Sequence, residues 1–250
     1  MDQGDFIING KSYKSTQIFK FDLKEIQEKN IFDDYRNSNY KNAYFELDEI
    51  PDKKIVLHQD HRLNKGGIFW DGSYLLLKYF LNIETTWKSE SNEKLPIRIL
   101  EIGSGTSVPS IVTGLLGYQV VTTDLPFLLP FVEKNVYENL PQGQNVKVKP
   151  LEWGNEEHMR NISERFDYII GAELIYVEEA FDNLVKTLRY FSDENTKVIM
   201  THKIRIPERT ELFFKKLSKE FDFESVDQSV IEKIIPHPNM HIFVAKLKAK

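Results

Sequence analysis

One stretch constrains the fold more than any other. Residues 97–126 read IRILEIGSGTSVPSIVTGLLGYQVVTTDLP. An apolar run ends in Glu101, a loop with glycines at 103 and 105 follows, then a helix-like segment, then a second apolar run ending in Asp124. Strand, glycine loop, helix and strand in this order are the layout of a nucleotide-binding βαβ unit.

The pattern continues. Apolar strand candidates fall at 97–102, 119–123, 146–149, 166–171, 196–202, 221–228 and 240–246, with helical segments between most of them. Phe181, Leu184, Val185, Leu188 and Phe191 make a helical stripe, and Pro207 suits the first turn of another helix. Short strands alternating with helices predict an α/β fold: a Rossmann-like, doubly wound, seven-stranded sheet, mostly parallel. No helix is expected between the last two strands, so the last strand should run antiparallel. Upstream, YFELDEI and KKIVLHQ flank Pro51 and Asp52 and predict a β-hairpin. WDGSYLLLKYFLN reads as a buried helix, and FDLKEIQEKNIF as a short amphipathic one. Residues 1–42 are set apart as an N-terminal extension that helps select a partner, and 43–250 as the main domain.

Composition narrows the classes. With 250 residues and 41% hydrophobic content the chain can bury a core. A net charge of -5 with dispersed basic residues argues against bulk nucleic-acid binding. No cysteine is present, so no disulfide, thiolate metal site or cysteine nucleophile is available, which fits a cytoplasmic or nuclear protein. The acidic N-terminus is unlike a signal peptide, and YLLLKYFL is shorter than the ~20 residues that span a bilayer. A soluble monomer without membrane contact is expected.

The glycine loop separates candidate cofactors. A dinucleotide fingerprint requires glycine where Val108 stands, and no lysine follows at P-loop spacing. The pattern acid-x-G-x-G-x-G matches Glu101, Gly103 and Gly105, with Ser107 in the last place. That pattern serves S-adenosylmethionine (SAM), which carries no phosphate. It needs a loop free of side chains for its methionine part and an acid, here Glu101, toward its ammonium. Asp124 sits where a carboxylate accepts from a ribose diol, a role common to NAD and SAM. Alternatively the glycines only close a tight turn, and Asp124 starts a helix at Pro126.

Five further segments carry a resemblance. They are IFWDGS (68–73), LEIGSGTS (100–107), VTTDLP (121–126), LEWG (151–154) and GAELIYVEE (171–179). In this order and spacing the chain resembles the methyltransferase-like, seven-β-strand protein-lysine methyltransferases that act on non-histone proteins. The resemblance covers roughly residues 40–246. It implies SAM as cofactor, S-adenosylhomocysteine as product, and contacts from Trp70, the loop Gly103, Ser104 and Gly105, Asp124, Trp153 and Ala172. It implies a folded protein substrate of chaperone, AAA ATPase or translation-factor type. Glu173 and Tyr176 fall on the family's D-x-x-Y signature as catalytic residues: Glu173 to orient the incoming amine, Tyr176 to wall its channel. They can face one pocket if the chain makes a helical turn there.

Two departures matter. Ser107 replaces the third loop glycine, and the following VPS also resembles a branch linked to arginine methylation. Glu173 replaces the family's Asp and reaches one methylene further. The family's VWDA-type segment corresponds to IFWDGS here, with Trp70 and Asp71. A protein-arginine methyltransferase, a non-catalytic SAM-binding module and an NAD oxidoreductase stay open, the last disfavoured by Val108. His202 and Arg205 could line the substrate side, although surface or structural roles fit them better. His58 and His61 lack a third ligand at metal spacing. Glu178 and Glu179 could attract a basic segment, but solvated charges are the commoner case.

Overall fold

The computed structural model describes residues 6–22, 40–90, 96–140, 144–237 and 239–249. Strands β1 (Phe6–Ile8) and β2 (Lys11–Tyr13) form a hairpin, and β3 (Ile18–Lys20), β4 (Asn42–Phe45) and β5 (Ile55–His58) form a second small sheet. There β4 and β5 pair antiparallel across the Pro51 turn, as expected, while β3 runs parallel to β4. One sheet therefore draws strands from both sides of residue 42. The amphipathic helix expected over 21–32 lies outside the described residues from 23 onward.

The helix read from WDGSYLLLKYFLN is α1 (Asp71–Glu90). Its residues Leu75, Leu76, Leu77 and Phe80 are buried, which explains its apolar character on most faces. After it come β6 (Arg98–Ile102), α2 (Val108–Leu115), β7 (Gln119–Asp124), α3 (Leu129–Asn139), β8 (Val146–Pro150), α4 (Glu156–Arg160), β9 (Tyr168–Ala172), α5 (Phe181–Phe191), β10 (Lys197–Lys203), α6 (Pro207–Leu217), β11 (Phe221–Ser225), α7 (Gln228–Ile234) and β12 (Met240–Leu247). The seven later strands make one sheet in the order β11-β12-β10-β9-β6-β7-β8. Its pairings are parallel except where β12 meets β10 and β11.

The last strand is antiparallel as predicted, but its connection is not free of helix. Asp227 caps α7 by accepting from the Ser229 N–H, and Ile231 and Ile234 are buried one turn apart. The strand expected over 221–228 accordingly stops at Ser225. The stripe on α5 is buried at all five predicted positions.

The small sheet is tied to the large domain by two asparagines one turn apart on α3. Asn139 accepts from the Val56 N–H at 2.9 Å and donates to the Val56 carbonyl at 2.7 Å; Asn135 accepts from the His58 N–H at 2.6 Å. These side chains act as a surrogate strand along the edge of β5. Without Asn139, both Val56 backbone groups would be buried and unpaired, a penalty of about 1–3 kcal/mol each. The β1–β2 hairpin docks on the same helix, with Lys11 and Tyr13 both donating to Glu138.

The order in which strands are added reverses between the parallel neighbours β6 and β9: β7 and β8 lie to one side, β10 to the other. The crevice beyond the carboxyl ends of these strands is where an open sheet of this kind binds ligand.

Candidate active site

The loop after β6 is built on left-handed backbone. Gly103 and Gly105 have φ of 61° and 52°. A Cβ on Gly103 would lie 2.7 Å from Leu174 Cδ2 and 3.3 Å from Trp153 Cζ2, so the loop has no room for a side chain. Ser107, at the third glycine position, is also left-handed, with φ 60°. The motif prefers glycine there for this reason, and serine accepts about 1–2 kcal/mol of backbone strain. Its hydroxyl, buried next to the Ser104 hydroxyl at 3.1 Å, sits in a polar seam that extends to Thr122.

Both loop acids are buried and both have elevated pKa values. Asp124 receives the Gly105 N–H on one oxygen and the Leu125 N–H on the other, each at 2.8 Å. Burial outweighs these two hydrogen bonds and raises its pKa. It braces the loop and still has lone pairs for two hydroxyl donors. It does not cap the turn at Pro126–Leu128, which has no side-chain cap. Glu101 is fully enclosed and accepts from both the backbone N–H and the hydroxyl of Ser110 in the first turn of α2. Burial pushes its pKa to about 8, and the hydrogen bonds from Ser110 offset only part of that rise.

Trp153, just after β8, packs on the core under α5 and lies beside Gly103. Ala172 ends β9 and is half-buried. Trp70 precedes α1, donates from Nε1 to the Lys65 carbonyl at 2.8 Å, and has the Arg205 guanidinium 5.9 Å from its ring centre. The turn His61–Gly67 that carries Lys65 leans on the glycine loop, since a Cβ on Gly105 would stand 3.2 Å from the Gly66 carbonyl oxygen.

Glu173 is the most constrained residue of the site. Its φ of 54° is unusual for a side chain of this size, and its backbone N–H is held by the Thr201 carbonyl at 2.8 Å. Oε1 accepts from the Gly72 N–H at 3.2 Å and Oε2 from Arg205 Nη2 at 2.7 Å, with the side chain only 6% exposed. The left-handed backbone means that no helical turn links Glu173 to Tyr176. A relay of contacts connects them instead: Glu173 meets Arg205, Arg205 lies over Trp70, Trp70 donates to the Lys65 carbonyl, and the Lys65 ammonium lies 4.0 Å from the centre of the Tyr176 ring. Burial and the nearby Asp124 raise the Tyr176 pKa, which keeps the phenol neutral at physiological pH. Glu173 does not cap the turn at Glu178–Ala180.

Arg205 is the partner of Glu173 that sequence reasoning undervalued; its position shortly after β10 is the available signal. His202 is buried against Phe214, Phe243 and His241, and burial lowers its pKa to about 3, so its place is structural. A surface groove of about 720 Å³ lined by Phe21, Leu47 and Tyr74 contains none of these residues.

Gly72 and Glu173 fit one another. A Cβ on Gly72 would stand 2.6 Å from Glu173 Cγ and 2.7 Å from Oε1. Glycine at this position makes room for the Glu173 side chain. Gly72→Ala is therefore expected to lower stability by about 1–2 kcal/mol through overpacking, despite alanine's better helix propensity. Glu173→Asp in the same chain should recover it. Thermal unfolding of the two single variants and the double variant checks this; a Gly72→Ala protein as stable as the parent would refute it.

Comparison with known proteins agrees with this geometry. A family model described as lysine methyltransferase matches residues 49–220. The zebrafish Danio rerio protein N-lysine methyltransferase METTL21A is 33% identical over 180 residues, covering 71% of this chain and 78% of the relative. The EEF1A lysine methyltransferase 3 of Xenopus tropicalis is 28% identical, covering 72% and 77%. Among solved structures, the glycopeptide N-methyltransferase MtfA with SAM superposes with a TM-score of 0.50 at 11% identity, covering 71% of this chain and 95% of that one. The left-handed loop that excludes side chains, the braced Asp124 and the indole beside Gly103 all fit that cofactor. The chain belongs to the lysine methyltransferase family, and its chemistry is methyl transfer from S-adenosylmethionine.

Proposed function

We propose that this chain methylates the ε-amine of a lysine on a folded protein in the cytoplasm or nucleus. The observation that carries this reading is the ion pair between Glu173 and Arg205 beside the cofactor loop. SAM, when bound, supplies an electrophilic methyl group on a sulfonium whose departure needs no acid. The loop Gly103–Gly105 would hold its methionine part, Asp124 its ribose and Trp153 its adenine.

The acceptor is the difficulty. A lysine ammonium has pKa ~10.4 and no free lone pair, and a bare carboxylate beside it would hold the proton in place. Arg205, at 2.7 Å from Oε2, offsets the charge of Glu173. Oε1 then serves as a hydrogen-bond acceptor that aims the amine without stabilising its protonated form strongly. The proton leaves to water before attack, and the Tyr176 face holds the cation until it does.

A protein acceptor is supported by apolar side chains exposed on three loops at the same sheet edge: Leu125 and Phe127 after β7, Val177 after β9 and Ile206 after β10. Phe127 is 64% exposed, which is unusual for a ring with no binding role. No helix among the described residues is long and apolar enough to cross a membrane. Chaperones, AAA ATPases and translation factors are the first acceptors to assay.

Incubation with tritiated SAM and a cell extract, followed by mass spectrometry of the labelled band, is expected to place the label on lysine ε-nitrogen. Label found only on arginine, or only in small molecules, would overturn the assignment.

A further inference from the structure

Two cations at the mouth of the site have no counter-charge. Lys65 reaches over Tyr176, while Arg209 lies on the first turns of α6, four residues beyond Arg205. Among the described residues neither forms an ion pair with a carboxylate, and Arg209 Nε is buried without a hydrogen-bond partner. Arg205, which also acts on Lys65, is engaged with Glu173. The groups acting on the Lys65 ammonium are its own partial burial, then Arg205, then Arg209, all of which disfavour its charge. Glu178 and Glu179 are exposed on the turn after Tyr176, but neither is close enough to influence it. Like charges clustered at a cleft raise the local potential and favour an anionic partner.

We propose that Lys65 and Arg209 recognise acidic side chains flanking the target lysine, so that the preferred substrate is a lysine set among aspartates or glutamates. This rests on the lysine-methyltransferase reading above and names its substrate class. In the free protein Lys65 occupies the Tyr176 face that the acceptor's cation would take. When that cation arrives, the Lys65 ammonium must leave, and a carboxylate next to the target lysine gives it a partner. Arg209 offers a second, through a guanidinium suited to bidentate carboxylate binding. A neutral flank leaves both cations uncompensated, and a basic flank adds repulsion.

The shared chemistry is carboxylate recognition, which the cofactor's own carboxylate could also use, so the test separates the two. Full-length protein saturated with S-adenosylhomocysteine is titrated into a fluorescein-labelled peptide with one central lysine flanked by aspartates. A second peptide carries asparagines at those places. Binding is followed by anisotropy at low and at physiological salt. The acidic peptide is expected to bind about tenfold more tightly, by a margin that shrinks with salt. In Lys65→Met with Arg209→Met the preference should fall to within about twofold, with S-adenosylhomocysteine affinity unchanged. Equal affinities, binding of neither peptide, or a preference that survives the double substitution overturns the proposal. So does loss of S-adenosylhomocysteine binding in the double variant, which would assign the cations to the cofactor. Because the readout is binding, a failure of lysine methylation and a failure of this inference are seen separately.

Discussion

Glu173→Gln lowers methyl transfer by about 10²–10³-fold and leaves S-adenosylhomocysteine affinity within about threefold of the parent. The amide is isosteric, so its oxygen can still accept from Gly72 or Arg205, and the fold around it is kept. Two things change at the acceptor's seat. One carboxylate oxygen becomes an N–H donor, which cannot receive a proton-bearing amine. Arg205 also loses the carboxylate charge it meets at 2.7 Å, so its guanidinium, 39% exposed, presents more positive charge to the incoming ammonium. The first effect lowers kcat by misaligning the nucleophile; the second raises KM by repulsion. The cofactor contacts proposed for Asp124, Trp153 and the glycine loop do not involve Glu173, so cofactor affinity is a control. A variant retaining more than about a tenth of parental activity, or one losing cofactor and activity together, would remove Glu173 from the role given to it.

Much of the fold was legible because the sheet is repetitive. Seven apolar runs, each ending near a turn signal, announced seven strands within a few residues of their observed bounds, and the stripe on α5 announced its helix. The misplaced end of β11 has a local cause: Asp227 as a cap and Ile231 with Ile234 at helical spacing were readable, but β-branched residues around Val226 and Val230 masked them. The N-terminal strands were illegible for a different reason. At three residues each, β1, β2 and β3 are too short to show alternation. The strand β3 finds its partner β4 more than twenty residues away, and β5 is completed by side chains of Asn135 and Asn139 rather than by another strand.

The site divides along the same line. Glu101, Gly103, Gly105, Asp124, Trp153, Ala172 and Glu173 lie at or near the sheet's carboxyl edge, because loop position follows from topology. What no spacing reveals is a contact between loops. Arg205 meets Glu173 across 32 residues, at a position whose backbone is left-handed. The fit of Gly72 to Glu173 spans 101 residues. Lys65 reaches Tyr176 from a turn that precedes the whole sheet. Topology places the strand-end residues, and side-chain geometry brings Arg205 to Glu173 and Lys65 to Tyr176.

Glu101→Gln is expected to change how stability responds to pH. The unfolded carboxyl ionises near 4.5, while enclosure in the fold raises its pKa to about 8. Below 4.5 both states hold the proton and Glu101 leaves stability independent of pH. Between 4.5 and 8 the native state binds more protons than the unfolded state, so stability falls as pH rises, by on the order of 4 kcal/mol across the window. The groups that face it are the Ser110 hydroxyl and N–H, which favour ionisation, Thr122, which favours it also, and the Asp124 carboxylate, which opposes it. Glutamine keeps an acceptor for Ser110 and carries no proton to lose. The variant should match the parent near pH 4.5 and exceed its Tm by roughly 8–15 °C at pH 8 in a chain of this size. The same burial has a functional side. A cofactor ammonium brought toward Glu101 favours its charged form, so binding near pH 7 should release a proton that the glutamine variant does not. Calorimetry of S-adenosylhomocysteine binding in buffers of different ionisation enthalpy reads that proton directly. A Tm difference that is flat from pH 5 to pH 8 would mean that Glu101 is already ionised in the free protein, held by Ser110 against the full weight of its burial.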